Sequence, residues 1–206
     1  GGLEALLALV PHLPADLPAA IFIVVHMPPS WHSSAADVLS GRGPLPARTP
    51  LHGERFEPGH IYVAPADNHL LVRANDTMEV VRGPRENGHR PAADALFRSA
   101  AAGFDSRVIG VVLSGYQNCG TIGMMSIKAR GGLCVVQKPE TAEVDEMPRS
   151  VLERVNVDHS VSPAELPALL SRLVKLPAHG GPHALDSTIE RVEGTKPGKP
   201  VELSCP

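Results

Sequence analysis

Three places in this chain join a reactive residue type to a backbone setting that chemistry can use. His26 closes a continuous apolar run, Ala19 to Val25, and is followed by Met27-Pro28-Pro29. An imidazole at a strand end, beside a turn, suits a general base; it equally suits a hydrogen-bonded histidine that caps the strand. Cys119 precedes Gly120 where a helix begins, and a helix N-terminus lowers a thiol pKa. A nucleophilic pair of Cys119 with His26 is one reading; a small residue filling a turn is the other. Gly1-Gly2 enters a third helix. Such a turn points backbone amides at an anion or oxyanion, or is an ordinary tight turn.

Other chemistries lack residues. The remaining histidines are dispersed, and no His-Glu-x-x-His or Cys-x-x-Cys spacing occurs, so no metal or cofactor is expected. Cys205-Pro206 matches half of a Cys-Pro-x-Cys knuckle and no more. Neither a Gly-x-Gly-x-x-Gly nor a Walker loop is present, which leaves nucleotide binding without support. Net charge is −3, and the chain holds one Trp, two Tyr and four Phe. That is neither the basic patch nor the stacking platform that nucleic acid requires. No apolar run reaches the roughly 18 residues of a membrane span. Three cysteines cannot close a disulfide framework and fit a reducing, cytoplasmic setting. No signal peptide is legible, and the start at Gly1-Gly2-Leu3 without Met leads us to expect further chain upstream.

The elements that must position these residues follow from periodicity. With 206 residues and 43% hydrophobic content, the chain buries a core without staples. Leu3, Leu6, Leu7 and Val10 mark a helical stripe that Pro11 and Pro14 end. Ala19–Val25, 107–113 and Leu133–Val136 read as strands buried on both faces. A short helix falls in 31–40, and Pro44, Pro46 and Pro50 hold an extended loop. Short apolar runs at Ile61–Val63, Leu70–Val72 and Met78–Val81, parted by turn residues, predict an antiparallel β-meander. Further helices are expected after Pro91, over 121–130 and near 147–155, with a short strand near 157–161. Ser162-Pro163-Ala164-Glu165 is a capping box opening a helix whose stripe is Leu166, Leu169, Leu170 and Leu173. From Lys175 the pattern dissolves, so 1–174 is one domain and 175–206 a linker or tail. The fold class is therefore α/β: a doubly wound, mostly parallel sheet with helices on both faces and a small antiparallel insert. Ligands in such folds sit beyond the carboxyl ends of the strands, which is where His26 and the Ser114–Gly120 loop fall.

Several segments taken in order resemble one family, the catalytic domain of the chemotaxis methylesterase CheB. Gly1-Gly2-Leu3-Glu4-Ala5-Leu6 is similar to its Ser-x-Gly-Gly-x-x-Ala-Leu turn, and Val24-Val25-His26-Met27-Pro28 to its His-Met-Pro segment. Pro58 to Pro65 with His69-Leu70, then His89-Arg90-Pro91 to Asp94 with Leu96-Phe97 and Ser99-Ala100, continue the match. Val111 to Gly115, Gly131-Gly132, Gln137 and Met147-Pro148-Arg149 complete it. The resemblance spans about 1–174 and is strongest to stand-alone forms without a receiver domain. It implies a doubly wound α/β fold and hydrolysis of glutamyl methyl esters through a Ser-His-Asp triad. It makes His26 the triad histidine. Its partners would be the methylated cytoplasmic helices of chemoreceptors, with a receiver domain or phosphorelay partner as regulator.

Two positions depart from the family. Its serine falls two residues ahead of Gly1, so the first strand and nucleophile turn are expected to lie outside these 206 residues. Its aspartate falls at Cys119, counting from Leu113-Ser114-Gly115. Asp145 and Glu146 are candidate replacement carboxylates, Tyr116 lies near the family's oxyanion region, and Arg90, Arg98 and Arg149 are candidates to meet an acidic receptor. The expected function is methylester hydrolysis. The alternative is an inactive domain that binds chemoreceptors or another signalling partner, and a Cys119-dependent hydrolase is a third reading.

Overall fold

The computed structural model of the chain describes residues 2–26 and 34–177. Three parallel strands form the first sheet, β1 (Ile21–Ile23), β2 (Ala47–Arg48) and β3 (Ile61–Val63), in the order β1-β3-β2. Ile21 faces Ile61 and Ala47 faces Ile61 in register. An antiparallel hairpin follows, β4 (His69–Val72) with β5 (Met78–Val81). The second parallel sheet runs β6 (Ile109–Val112), β7 (Leu133–Gln137), β8 (His159–Val161), with Ile109 opposite Leu133 and Val135 opposite His159. Among the described residues the α-helices are α1 (Gly2–Leu9), α2 (Ser34–Ser40), α3 (Ala93–Phe104), α4 (Thr121–Ala129), α5 (Glu146–Arg154) and α6 (Leu166–Leu173).

Strand side chains alternate between faces, and the core divides accordingly. Ile61, Val63 and Val135 join Leu6 and Leu9 of α1, Leu39 of α2, and Leu166, Leu169 and Leu173 of α6. Cys134 and Val136 point the other way, onto Met124 and Ile127 of α4 and Val151 of α5. Tyr62 faces a third cluster with Leu70, Val72, Met78 and Leu96. Helices thus cover both faces, as a doubly wound sheet requires. Helix α4 lies close on α3 because Gly123 has no side chain: a Cβ there would sit 2.5 Å from Phe97 Cβ and 3.1 Å from Asp94 Cα.

Three expectations need correction. Ile61–Val63 is no part of a meander; it is the centre of the first parallel sheet, buried on both faces. Of the strands named here, only β4 and β5 pair antiparallel. The proline-rich loop after α2 also contains a strand, β2, because Pro44, Pro46 and Pro50 all lie outside its two paired residues. Only half of the capping box forms, one turn ahead of α6: the Glu165 carboxylate accepts from both Ser162 N–H (2.8 Å) and Ser162 Oγ (2.7 Å), while Glu165 N–H goes to the Ser162 carbonyl and the N-cap of α6 is Glu165 itself, without a side-chain cap. Gly1, Met27 to Pro29, the start of the 31–40 segment, and most of the 175–206 stretch including Cys205-Pro206 lie outside the described residues.

Candidate active site

His26 sits just beyond the end of β1. Its Nε2 is buried and has no hydrogen-bond partner among the described residues. Its ring lies face to face with that of His89, with centroids 4.1 Å apart and planes 9° from parallel. Burial, and secondarily the neighbouring His89, push the His26 pKa down from 6.5 to about 4. The imidazole is therefore neutral through the physiological range, the form a general base needs.

His89 is held by the loop that carries it. Its backbone exchanges two hydrogen bonds with Glu86, and the Arg98 guanidinium grips the Glu86 carboxylate at 2.7 and 3.0 Å. Arg90 donates to Asp67 Oδ1 (2.6 and 2.9 Å) and to Gly83 O (2.7 Å). Buried His69 ties both ends of the loop: Nε2 donates to Pro84 O (2.8 Å) and Nδ1 accepts from Ala92 N–H (3.2 Å). The peptide bond between Arg90 and Pro91 is cis.

The loop after β6 makes the facing wall. Ser114 N–H donates to Gln137 Oε1 (3.0 Å), and the Ser114 hydroxyl is bonded to both the N–H and the carbonyl of Val144. Gly115 donates to Val144 O and accepts from Met147 N–H, each at 3.0 Å. A Cβ on Gly115 would lie 2.3 Å from Met147 Sδ, so a larger residue here must displace the Met147 side chain. Gly2 at the start of α1 abuts Ser114 O. Gly2, His26, His89, Ser114, Gly115 and Tyr116 ring one end of a cavity of about 1010 Å³. The cavity runs between β1 and β6, which are edge strands of their respective sheets among the described residues.

The residues named from the sequence do not all converge here. Cys119 is fully buried among Ala92, Ala93, Met124 and Ile127. Its Sγ accepts from Ala93 N–H at 3.3 Å, and no hydrogen bond joins it to His26. Burial raises its pKa above the ordinary thiol value, so it is a neutral thiol. Burial therefore works against the helix-start argument for a reactive Cys119, since desolvation disfavours the thiolate. Asp145 pairs with Arg149 one helical turn on. Glu146 Oε2 accepts from Gln117 N–H at 2.7 Å. Neither carboxylate touches His26. Tyr116 is 67% exposed at the rim. Arg90, Arg98 and Arg149 are each engaged by a carboxylate of this chain, Asp67, Glu86 and Asp145.

Two residues of the site escaped the sequence reading. His89 lay in the His-Arg-Pro segment, but nothing in its spacing predicts a stack on His26. Gln117 accepts from His89 Nε2 at 3.2 Å through its side-chain carbonyl, and only a folded loop reveals that. Among the described residues, no cluster of three or more His, Cys, Asp or Glu could hold a metal ion, and no helix is long and apolar enough to cross a membrane.

Comparison with known proteins identifies the family. The family model for CheB methylesterase matches residues 1–170. A protein-glutamate methylesterase/protein-glutamine glutaminase of Pyrococcus abyssi is 34% identical over 194 residues. That match takes in 93% of this chain but 53% of the relative, so the chain spans about half its length. A shorter relative from Leptospira interrogans is 35% identical over 173 residues, covering 84% of this chain and 90% of its own length. The crystal structure of the Thermotoga maritima CheB methylesterase catalytic domain superposes with a TM-score of 0.81 at 34% identity, over 84% of this chain and 94% of that one. The chain belongs to the CheB methylesterase family.

Proposed function

We propose that this chain hydrolyses glutamyl methyl esters on the cytoplasmic helices of chemoreceptors, with His26 as the general base. The observation that carries this is His26 itself, which lines the cavity between β1 and β6 and whose buried Nε2 has no hydrogen-bond partner among the described residues. A parallel strand laid in that cavity, leading into α1 at Gly2, would pair with both edges and set its last residues beside His26. The family resemblance gives that strand's turn a serine. The serine hydroxyl attacks the ester carbonyl while His26 Nε2 takes its proton. The same nitrogen returns the proton to the departing methoxide, giving methanol and an acyl-enzyme. A water, deprotonated by His26, then attacks the acyl carbon; the bond to the serine oxygen breaks and His26 returns the proton to it, giving the free glutamate and the serine hydroxyl. The unit that does this is 1–174, in a cytoplasmic setting, with a receiver domain or phosphorelay partner as its regulator.

The curated relatives also carry glutaminase in their name. An amide nitrogen leaves only when protonated, which asks more of His26 than an ester does. We therefore assign the ester as the better substrate.

Cys119 limits the rate. A carboxylate at that position would stabilise the imidazolium; a neutral buried thiol offers no charge. In a serine-protease triad, replacing the aspartate by asparagine costs about 10⁴ in kcat. This same feature favours the second reading, a domain that binds the receptor without hydrolysing it. The test is methanol release from methylated receptor by the full chain with its native upstream residues, comparing Cys119 with Cys119→Asp. Release by both, faster with aspartate, supports a weakened esterase. Release by the aspartate form alone makes the natural protein a binding domain on an intact scaffold. Release by neither overturns the assignment of His26.

A further inference from the structure

The loop after β6 carries a residue in an unusual state. Gln117 is not glycine, yet its φ is +66°, a left-handed conformation that residues other than Gly, Asn and Asp rarely adopt. A backbone held this way at a candidate site is a reason to ask what the residue does there. Both of its polar ends are committed. Its N–H donates to Glu146 Oε2 at 2.7 Å, at the first residue of α5. Its side-chain carbonyl lies 3.2 Å from His89 Nε2. A carbonyl oxygen only accepts, so His89 carries its proton on Nε2. The His89 ring then stacks on His26 at 4.1 Å.

We infer that Gln117, anchored by Glu146, is a positioning residue that fixes the ring of His89 and, through the stack, the plane of His26. The inference rests on the reading of His26 as the base. It supplies what that reading lacks: no carboxylate of the described residues touches His26, yet its ring must hold one orientation for proton transfer. Glu146, Gln117 and His89 form a chain of contacts that ends on the face of the imidazole rather than on its edge. Such a chain orients the ring without giving it a counter-charge.

The experiment uses four variants of the full chain. Gln117→Met keeps side-chain length and loses the acceptor. Gln117→Glu keeps an acceptor oxygen in place. Gln117→Gly relieves the backbone and loses the acceptor. Glu146→Ala releases the anchor. The first readout is ¹⁵N NMR of the histidine rings without substrate, with ring contacts between His26 and His89 followed by NOE. In the parent and Gln117→Glu, His89 should show one tautomer, protonated at Nε2, and a His26–His89 contact. Gln117→Met, Gln117→Gly and Glu146→Ala should show mixed tautomers and a weakened contact. Gln117→Gly should do so while melting no lower than the parent, which a merely structural role would not produce. The second readout is methanol release: kcat for Gln117→Met should fall roughly tenfold, the low end for a supporting residue, with KM unchanged, and Gln117→Glu should restore it. An unaltered His89 tautomer in both Gln117→Met and Gln117→Gly overturns the inference. The expected spectra with no methanol release from any form, nor from the same variants carrying Cys119→Asp, would leave the positioning role standing and overturn the base assignment instead.

Discussion

Replacing His89 with phenylalanine separates the two forces acting on His26. The His26 pKa falls from 6.5 to about 4, with burial the larger cause and the charge of His89 the smaller. His89 thus accounts for less than half of the fall. Phenylalanine preserves a flat ring against His26, so it preserves the burial, and it removes the charge. The expected His26 pKa in His89→Phe is therefore above 4 but no higher than about 5. His89→Ala opens that face to water and lifts both causes, so its value should be higher than that of His89→Phe. The assay is an NMR pH titration of the His26 ring in the parent and both variants, with His26→Gln to assign the resonance. Full recovery to 6.5 in His89→Phe would make the charge dominant and refute the burial argument. No movement at all would show that the two rings are not coupled. A fall below the parent value would refute the sign.

Three further outcomes follow from the same structure. The folded protein keeps His26 neutral down to about pH 4 while the unfolded chain protonates it near 6.5; between those values the unfolded state binds the extra proton. The His26 contribution to stability should therefore be complete above pH 6.5 and fall by up to about 3 kcal/mol as pH drops to 4, and urea midpoints at pH 7 and 4.5 should show a smaller drop in His26→Gln. Gly123→Ala forces a methyl against Phe97 Cβ, on a helix that cannot yield locally, so its thermal melt should report a loss of about 1–3 kcal/mol; a change under about 0.5 kcal/mol would mean α3 and α4 are not tightly packed. Cys119 and Cys134 are fully buried and their thiols are pushed up, that of Cys134 to about 11. Peptide mapping after iodoacetamide treatment of the native chain at pH 7.5 should find both unalkylated, and rapid labelling of Cys119 would revive it as a nucleophile.

The legible part of this molecule was the part written in local patterns. An unbroken apolar run marks a sheet strand, and its end places His26 at the carboxyl edge of a sheet, but burial on both faces was not met: Ile21 and Phe22 are only half-buried and line the cavity. Leucine spacing located α1 and α6, and short apolar runs parted by turn residues located β4 and β5. The hidden part depended on partners distant in the chain. Ile61–Val63 looks like any short apolar run; only its burial between β1 and β2 makes it a sheet centre. At Cys119 the sequence offered a helix start, but the thiol's surroundings come from α3, where the Ala93 N–H satisfies it. His89 and Gln117 are 28 residues apart, and neither carries a signature that says it faces the other. Even the family resemblance, which covers both segments, gave a role only to the residues of the triad.

The cavity between β1 and β6 has a consequence for handling this protein in solution. Each of its long sides is a strand edge with one row of backbone donors and acceptors unclaimed by a neighbouring strand among the described residues. Paired edges are inert, whereas open ones recruit whatever extended segment is at hand, including one from another copy of the chain. Here two such edges face each other across one apolar space, so a single invading strand satisfies both at once. A fragment without the strand leading into Gly2 should accordingly self-associate with rising concentration by strand exchange at this seam, whereas the chain with its native upstream residues should not, and light scattering of the two would register the difference.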